Sequence, residues 1–78
     1  MSQPVTLYTS EGCGYCRKVK QFLEEHQVEY TEKNVTTHPE YLEELKAREI
    51  WALPTVFVGD QAVMGYRPDV LKQLLGIE

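Results

Sequence analysis

Two cysteines, three residues apart, are the residues of this chain best suited to chemistry. Cys13 and Cys16 are the only cysteines among the 78 residues, and they stand where a β-prone run gives way to a helical pattern. A pair on the first turn of a helix can close into a disulfide and reopen with little backbone movement. The unpaired N–H groups and the positive end of the helix dipole favour a thiolate at Cys13, and thiolates attack disulfides. The spacing therefore predicts thiol–disulfide exchange.

The two cysteines are expected to have different roles. Cys13 lies at the helix start, where its sulfur can be exposed and can attack a substrate disulfide. Cys16 lies one turn further in, so we expect it to be more buried, to have the higher pKa and to resolve the mixed disulfide. A half-site for zinc is the alternative for this motif, but the chain has no second Cys or Cys–His pair to complete four ligands. We therefore predict no metal site within one chain.

Composition excludes several other classes of function. The net charge of −4 and the lack of a basic block argue against nucleic acid as a partner. No apolar run approaches the roughly 20 residues that span a bilayer, and the first four residues do not resemble a signal peptide. We expect one cytoplasmic domain covering residues 1–78. In that compartment a C-x-x-C pair is redox-active or metal-binding more often than structural.

Hydrophobic periodicity predicts the elements that position the cysteines. The expected order is β-α-β-α-β-β-α, which gives an α/β fold with a four-stranded mixed sheet flanked by three helices. Thr37 and Glu40 are spaced as a capping box for the second helix, which we expect to end near Glu49. Strands are expected at residues 5–9, 28–35, 55–58 and 61–64, and the other helices at residues 13 or 14 to 26 and from residue 68 onward.

The first helix carries its charges against the helix dipole. Its start is basic (Arg17, Lys18 and Lys20), whereas its end is acidic (Glu24 and Glu25). The cations would stabilise a Cys13 thiolate and attract anionic partners. The alternative is a solvated helix face that holds pairs such as Lys20–Glu24.

Four segments together resemble the thioredoxin superfamily, and specifically a small glutaredoxin-like redoxin. They are Tyr8-Thr9, Cys13-Gly14-Tyr15-Cys16, the run from Leu53-Pro54 to Val58, and Gly65 followed by Asp69. The resemblance covers essentially the whole chain and implies the thioredoxin fold.

The same resemblance implies a substrate site. Cys13 corresponds to the family's nucleophile and Cys16 to its resolving cysteine. Pro54 corresponds to the family's cis-proline, and the backbone of Leu53 to the segment that pairs with substrate. Tyr15 is expected to contact substrate.

The electron donor is where this sequence departs from many glutaredoxins. Ser10 replaces a lysine, and Tyr66 replaces the second glycine of a glutathione-binding pair, so that only Gly65 and Asp69 match that segment. The run from Gly65 to Pro68 instead resembles small redoxins that serve ribonucleotide reductase and are recharged by thioredoxin reductase. Arg67 and Asp69 could still meet glutathione or another low-molecular-weight thiol.

Three functional hypotheses follow. The first is an oxidoreductase that donates electrons to protein disulfides or mixed disulfides, without a bound cofactor and as a monomer. The second is an iron–sulfur or metal carrier in which two chains each supply Cys13. The third, an adaptor without catalysis, is disfavoured by the intact cysteine pair.

Overall fold

The computed structural model describes residues 4–77, and its elements follow the predicted order. The order is β-α-β-α-β-β-α, and the two consecutive strands form a hairpin across Gly59 and Asp60. The bounds are β1 Val5–Thr9, α1 Gly14–Glu25, β2 Thr31–Asn34, α2 Pro39–Ala47, β3 Thr55–Val58, β4 Gln61–Met64 and α3 Pro68–Leu75.

The four strands form one mixed sheet in the order β2-β1-β3-β4. β1 is parallel to β2 and antiparallel to β3, and β3 is antiparallel to β4. The predicted α/β architecture is therefore confirmed. The cysteines follow the carboxyl end of a central strand, where the adjoining strands hold the backbone on both sides.

Strand alternation divides the core between the two faces of the sheet. Leu7 and Val56 point to the face covered by α1 and α3, whereas Tyr8 and Phe57 point to the face covered by α2. The first cluster consists of Val5, Leu7, Val19, Phe22, Leu23, Val56, Val58, Val63 and Leu71. The second consists of Tyr8, Val35, Leu45, Ile50 and Phe57. This packing fixes α1, and with it both cysteines, against the sheet.

β2 is shorter than the predicted strand over residues 28–35. The amide of Val28 donates to the Leu23 carbonyl at 2.8 Å and so completes the end of α1. Pairing with β1 starts only at Thr31, opposite Thr6. Beyond the strand, the Val35 amide still donates to the Thr9 carbonyl at 2.8 Å.

The predicted capping box of α2 is wrong. His38, not Thr37, is the N-cap residue, and it caps without a side-chain hydrogen bond. The Thr37 hydroxyl instead contacts the Asn34 carbonyl and the His38 ring. α2 also ends at Ala47 rather than near Glu49, because Glu49 has a positive φ of 60° that cannot continue the helix.

Candidate active site

A tight turn delivers Cys13 to the start of α1. Gly12 lies between β1 and the helix with a positive φ of 75°, a backbone conformation that is strained for residues with a side chain. Cys13 is the N-cap residue, and its Sγ accepts a hydrogen bond from the Cys16 N–H at 3.1 Å. The Glu11 amide donates to Thr36 Oγ1 at 3.1 Å and ties this turn to the loop after β2. The Cys13 sulfur therefore meets a backbone N–H donor of the first helical turn.

The two thiols differ in exposure as predicted. Cys13 is half-buried, whereas Cys16 is 3% exposed. Burial raises the pKa of Cys16 to about 12, and the hydrogen bond with Cys13 adds to this rise while the Ser10 backbone opposes it. A thiol with that pKa stays protonated at neutral pH. Only the outer sulfur, Cys13, is both accessible and placed beside a helix N-terminus.

One cavity lies beside the cysteines, between α1 and β2, with a volume of about 280 Å³. Lys20 Nζ lies 3.0 Å from Glu32 Oε1, and Thr9 Oγ1 donates to Glu32 Oε2 at 3.0 Å. Lys20 therefore pairs across to β2 and not with Glu24, the pair that the alternative of a solvated helix face suggested. The walls are formed by Thr9, Ser10, Glu11, Gly12, Cys13, Cys16, Arg17, Lys20, Glu32 and Asn34.

A second groove, of about 430 Å³, contains the predicted proline platform. The Leu53–Pro54 peptide bond is cis, as the resemblance implied. The Gly65 amide donates to the Pro54 carbonyl at 2.7 Å, which holds the end of β4 beside the proline. The groove is lined by Tyr15, Leu53, Pro54, Met64, Gly65, Tyr66 and Arg67.

The second groove thus brings together most of the predicted substrate contacts. Tyr15, Leu53, Pro54, Gly65 and Arg67 all line it. Asp69 does not; it is exposed in the first turn of α3.

Sequence reasoning missed two of the groove residues, Met64 and Tyr66. The Tyr66 ring stacks on Tyr15 with centroids 6.5 Å apart and planes at 29°. Met64 is 50% exposed, although its neighbour Val63 is buried. Successive side chains of a strand point to opposite faces of the sheet, so an inward Val63 on β4 would have predicted an outward Met64.

Trp51 neither closes the core nor lines the groove. Its side chain is 75% exposed in the loop that leads to Pro54, and it is absent from the groove walls. It belongs to neither core cluster. Its preceding neighbour Ile50 is buried in the second core cluster instead.

Within residues 4–77, no three His, Cys, Asp or Glu side chains approach closely enough to hold a metal ion. None of the helices described here is both long and apolar enough to cross a membrane.

Comparison with known proteins identifies the family. The family model for glutaredoxin matches residues 5–63. The chain belongs to the glutaredoxin family. As a glutaredoxin family member it is a thiol–disulfide oxidoreductase, and the C-x-x-C motif of that chemistry is Cys13–Cys16.

Two relatives that match over nearly their full length are glutaredoxin-like NrdH proteins. The glutaredoxin-like protein NrdH of Lactococcus lactis is 34% identical over 70 residues, covering 90% of this chain and 97% of that protein. The solved structure of NrdH-redoxin from Escherichia coli, a glutaredoxin-like protein with a thioredoxin-like activity profile, has a TM-score of 0.83. It is 34% identical, and the match covers 91% of this chain and 93% of that one.

A third likeness is partial. The global transcriptional regulator Spx 2 of Bacillus cereus is 49% identical over 43 residues. The match covers 55% of this chain and only 33% of the regulator. It therefore concerns a shared segment and not the regulator as a whole.

Proposed function

We propose that this glutaredoxin family member reduces protein disulfides, with Cys13 as the nucleophile and Cys16 as the resolving cysteine. The observation that carries the assignment is the contrast between the two sulfurs. Cys13 Sγ is accessible and accepts the Cys16 N–H at the helix start, whereas Cys16 is 3% exposed. A Cys13 thiolate attacks one sulfur of the substrate disulfide and releases the other as a thiol. Cys16 then attacks Cys13, which frees the second substrate thiol and leaves the Cys13–Cys16 disulfide.

The second groove is the proposed substrate platform. An extended substrate segment would pair with the backbone at Leu53, beside Pro54, and would pack on the side chains of Tyr15 and Tyr66. Three of the large exposed hydrophobic residues of the described chain, Tyr15, Met64 and Tyr66, line this groove. Such a surface suits a protein segment better than a small polar thiol.

We further propose that the protein is recharged by thioredoxin reductase and donates electrons to ribonucleotide reductase. The likeness to NrdH proteins over 90% of the chain supports this choice. Tyr66 fills the position where glutathione-binding relatives are expected to carry a second glycine, and its ring lies against Tyr15. Glutathione or another low-molecular-weight thiol is the alternative co-substrate, with Arg67 and Asp69 nearby. No bound cofactor is required for either route.

Serine variants of the two cysteines test the assigned roles. Cys13→Ser should abolish reduction of a protein disulfide, because no accessible nucleophile is left. Cys16→Ser should stop after one attack and accumulate a mixed disulfide at Cys13, which intact-mass analysis would detect. If Cys13→Ser keeps its activity while Cys16→Ser loses it, the roles are reversed. If Cys16→Ser still turns over glutathione mixed disulfides, a one-cysteine glutathione pathway operates.

A further inference from the structure

The cavity beside the cysteines holds a carboxylate that the exchange reaction described above does not use. Glu32 is paired with Leu7 in the parallel register of β1 and β2, so its side chain shares the sheet face that α1 covers. An acidic residue is unexpected on a face otherwise occupied by core side chains. Its side chain is 32% exposed and reaches the cavity wall that also contains both cysteines.

Two contacts hold this carboxylate toward α1. Lys20 Nζ lies 3.0 Å from Oε1, and the hydroxyl of Thr9, a residue 2% exposed, donates to Oε2 at 3.0 Å. Lys20 lies four residues after Cys16, so both side chains project from the same face of α1. These contacts hold the carboxylate at the wall of the cavity that Cys16 also lines.

We propose that Glu32 accepts the proton of Cys16, through water in the cavity, when Cys16 attacks the mixed disulfide. The inference rests on the proposed resolving role of Cys16. The cavity, about 280 Å³, has room for water and is lined by polar groups that can bind it. General bases often act through one water. Cys16, at 3% exposure, has little direct access to bulk solvent as an alternative acceptor.

Protons and electrons balance in the attack of Cys16 without another reagent. Cys16 gives its proton to the Glu32 carboxylate, and its sulfur forms a bond to Cys13 Sγ. The bond between Cys13 and the substrate sulfur breaks, and its electron pair leaves with the substrate sulfur. That thiolate takes up a proton from the Glu32 carboxyl group or from water. The two electrons come from the two cysteine thiols and end on the substrate.

Electrostatics explains why a proton transfer is useful here. Burial is the main cause of the raised pKa of Cys16, and the negative charge of Glu32 adds a smaller contribution, so a Cys16 thiolate is disfavoured beside this carboxylate. Moving the proton onto Glu32 removes that repulsion at the moment of attack. Lys20 and Arg17 from α1 and Glu11 from the preceding turn are the other charged groups around this cavity. In the mixed disulfide Cys13 is bonded to the substrate sulfur and has no thiol left, so its contribution to the raised pKa of Cys16 is lost.

Edge-strand protection is the competing explanation for Glu32. β2 lies at the edge of the sheet, and charged residues on edge strands discourage pairing between molecules. That role predicts no effect of Glu32 on the rate of any chemical step. The two explanations are separable by kinetics.

The experiment follows the reduced protein with stoichiometric 5,5′-dithiobis(2-nitrobenzoate) in a stopped-flow instrument. Attack by Cys13 releases the first chromophore in a concentration-dependent phase, and resolution by Cys16 releases the second in a concentration-independent phase. Glu32→Gln should slow the second phase by about tenfold or more at pH 7 and leave the first unchanged. The control is Glu29→Gln, which removes the same charge from an exposed residue outside the cavity.

The pH profile of the second phase is decisive. The wild-type rate should be nearly flat from pH 6 to 8, because removal of the Cys16 proton then depends on the carboxylate in the cavity and not on the pH of the solution. The Glu32→Gln rate should rise about tenfold per pH unit, because attack then depends on the thiolate fraction alone. An unchanged rate and profile in Glu32→Gln, or equal slowing of both phases, would overturn the inference. A wild-type rate that itself rises tenfold per unit would overturn it even if the variant does not fold. Release of only one chromophore by the wild type would instead refute the resolving role of Cys16.

Discussion

At the scale of single residues, the site is built by giving two identical thiols different surroundings. Cys13 has a backbone donor at its sulfur and partial access to solvent, whereas Cys16 is packed beneath it. Burial disfavours the charged form of Cys16, and the resulting pKa shift makes the free energy of unfolding depend on pH.

The raised pKa of Cys16 predicts alkaline destabilisation of the reduced protein. The pKa rises from an ordinary value of 9.0 to about 12 on folding. Between these values the unfolded chain loses the Cys16 proton while the folded chain keeps it, so stability is full below about pH 9 and falls as pH rises toward 12. The expected loss is about 1.4 kcal/mol of unfolding free energy per pH unit. Urea denaturation under anaerobic, reducing conditions measures it.

Cys16→Ser is the matched control for this loss. Serine does not titrate in this range, so the variant should lack the Cys16 contribution. Tyr30, whose pKa burial raises to about 12, and Tyr8, whose pKa burial also raises, weaken both proteins alike at high pH. Their effect cancels in the difference. Parallel curves for the two proteins from pH 9 to 12 would contradict the assignment.

Tyr66→Gly should make the protein a better substrate for glutathione. The substitution removes the ring stacked on Tyr15 and widens the groove of about 430 Å³ beside Pro54. We expect glutathione with NADPH and glutathione reductase to recharge the variant several-fold faster than the wild type. Tyr66→Phe keeps the stacked ring and should behave as the wild type does. Equal rates in all three proteins would show that Tyr66 does not exclude glutathione.

The residues of the site were predictable to different degrees. The two cysteines form a short motif that can be read directly along the chain, whereas the cis Leu53–Pro54 bond was implied by the family resemblance alone. Glu32 could not be found this way, because its proximity to Cys16 depends on the register between β1 and β2. A sequence gives strand periodicity but not which residues of two strands lie opposite each other.

At the scale of elements, α1 and α2 end with the same backbone geometry. Gln27 follows α1 with φ of 56°, and Glu49 follows α2 with φ of 60°. In each case the amide after it returns to the helix: Val28 donates to the Leu23 carbonyl at 2.8 Å and Ile50 donates to the Leu45 carbonyl at 3.0 Å. These are Schellman ends built without glycine.

Gln27→Gly should therefore stabilise the protein. Glycine adopts a positive φ without the strain of a side chain, and the relief exceeds its larger entropy loss on folding. We expect a gain of about 0.5–1 kcal/mol in unfolding free energy, measured by urea denaturation. Gln21→Gly makes the same change inside α1, where the backbone is helical, and should cost about 1 kcal/mol. A loss of stability in both variants would contradict the strain assigned to Gln27.

A polar network joins α2 to the sheet. The hydroxyl of Tyr8, a residue 4% exposed, donates to Glu44 Oε1 at 2.8 Å, and Lys33 Nζ donates to the same oxygen at 3.1 Å. The Tyr8 hydrogen bond, followed by that of Lys33, lowers the pKa of Glu44. Glu44→Ala should cost about 1–2 kcal/mol, because the Tyr8 hydroxyl and the Lys33 ammonium both lose this partner.

Glu43→Ala is the control for that network. Among residues 4–77, the ion-pair partner of Glu43 is Lys46, at 3.6 Å on the exposed side of α2, and exposed pairs of this kind contribute little. Its removal should change the free energy of unfolding by less than about 0.5 kcal/mol. Equal losses in the two variants would show that helix propensity, rather than the network, determines the effect.

The predicted bounds of a strand were right where one residue pattern determined both of its ends. β1, β3 and β4 have the predicted bounds, because their runs of β-branched and apolar residues end at turn residues. β2 was predicted too long, since the extended chain at residues 28–30 looks like a strand but has no partner in the ladder. The cap of α2 was misassigned because Thr37 has a competing local partner in the Asn34 carbonyl.

At the scale of the whole molecule, the exposed apolar side chains lie on or next to the groove that the proposal assigns to substrate. Tyr15, Met64 and Tyr66 line it, and Trp51 stands in the loop leading to Pro54. Lys18 lies over the Tyr15 ring at 5.2 Å and Arg67 lines the groove, so cations border this surface in a chain of net charge −4. An anionic or apolar protein segment is the partner such a surface favours.

This arrangement predicts the reductant. The oxidised protein, offered NADPH with thioredoxin reductase, should recover two thiols per chain rapidly, whereas NADPH, glutathione and glutathione reductase should recharge it slowly. The reason is that a reductase can cover the exposed apolar surface, while a tripeptide thiol meets Tyr66 where a second glycine would be needed. Thiol counting is the better readout, because the indole of Trp51 is 75% exposed and need not sense the disulfide. Recharging by glutathione alone would contradict the proposed donor and make deglutathionylation the leading activity. Rapid recharging by the reductase alone would place this chain with the thioredoxin-like electron donors, and reduction of oxidised ribonucleotide reductase would be the next activity to measure.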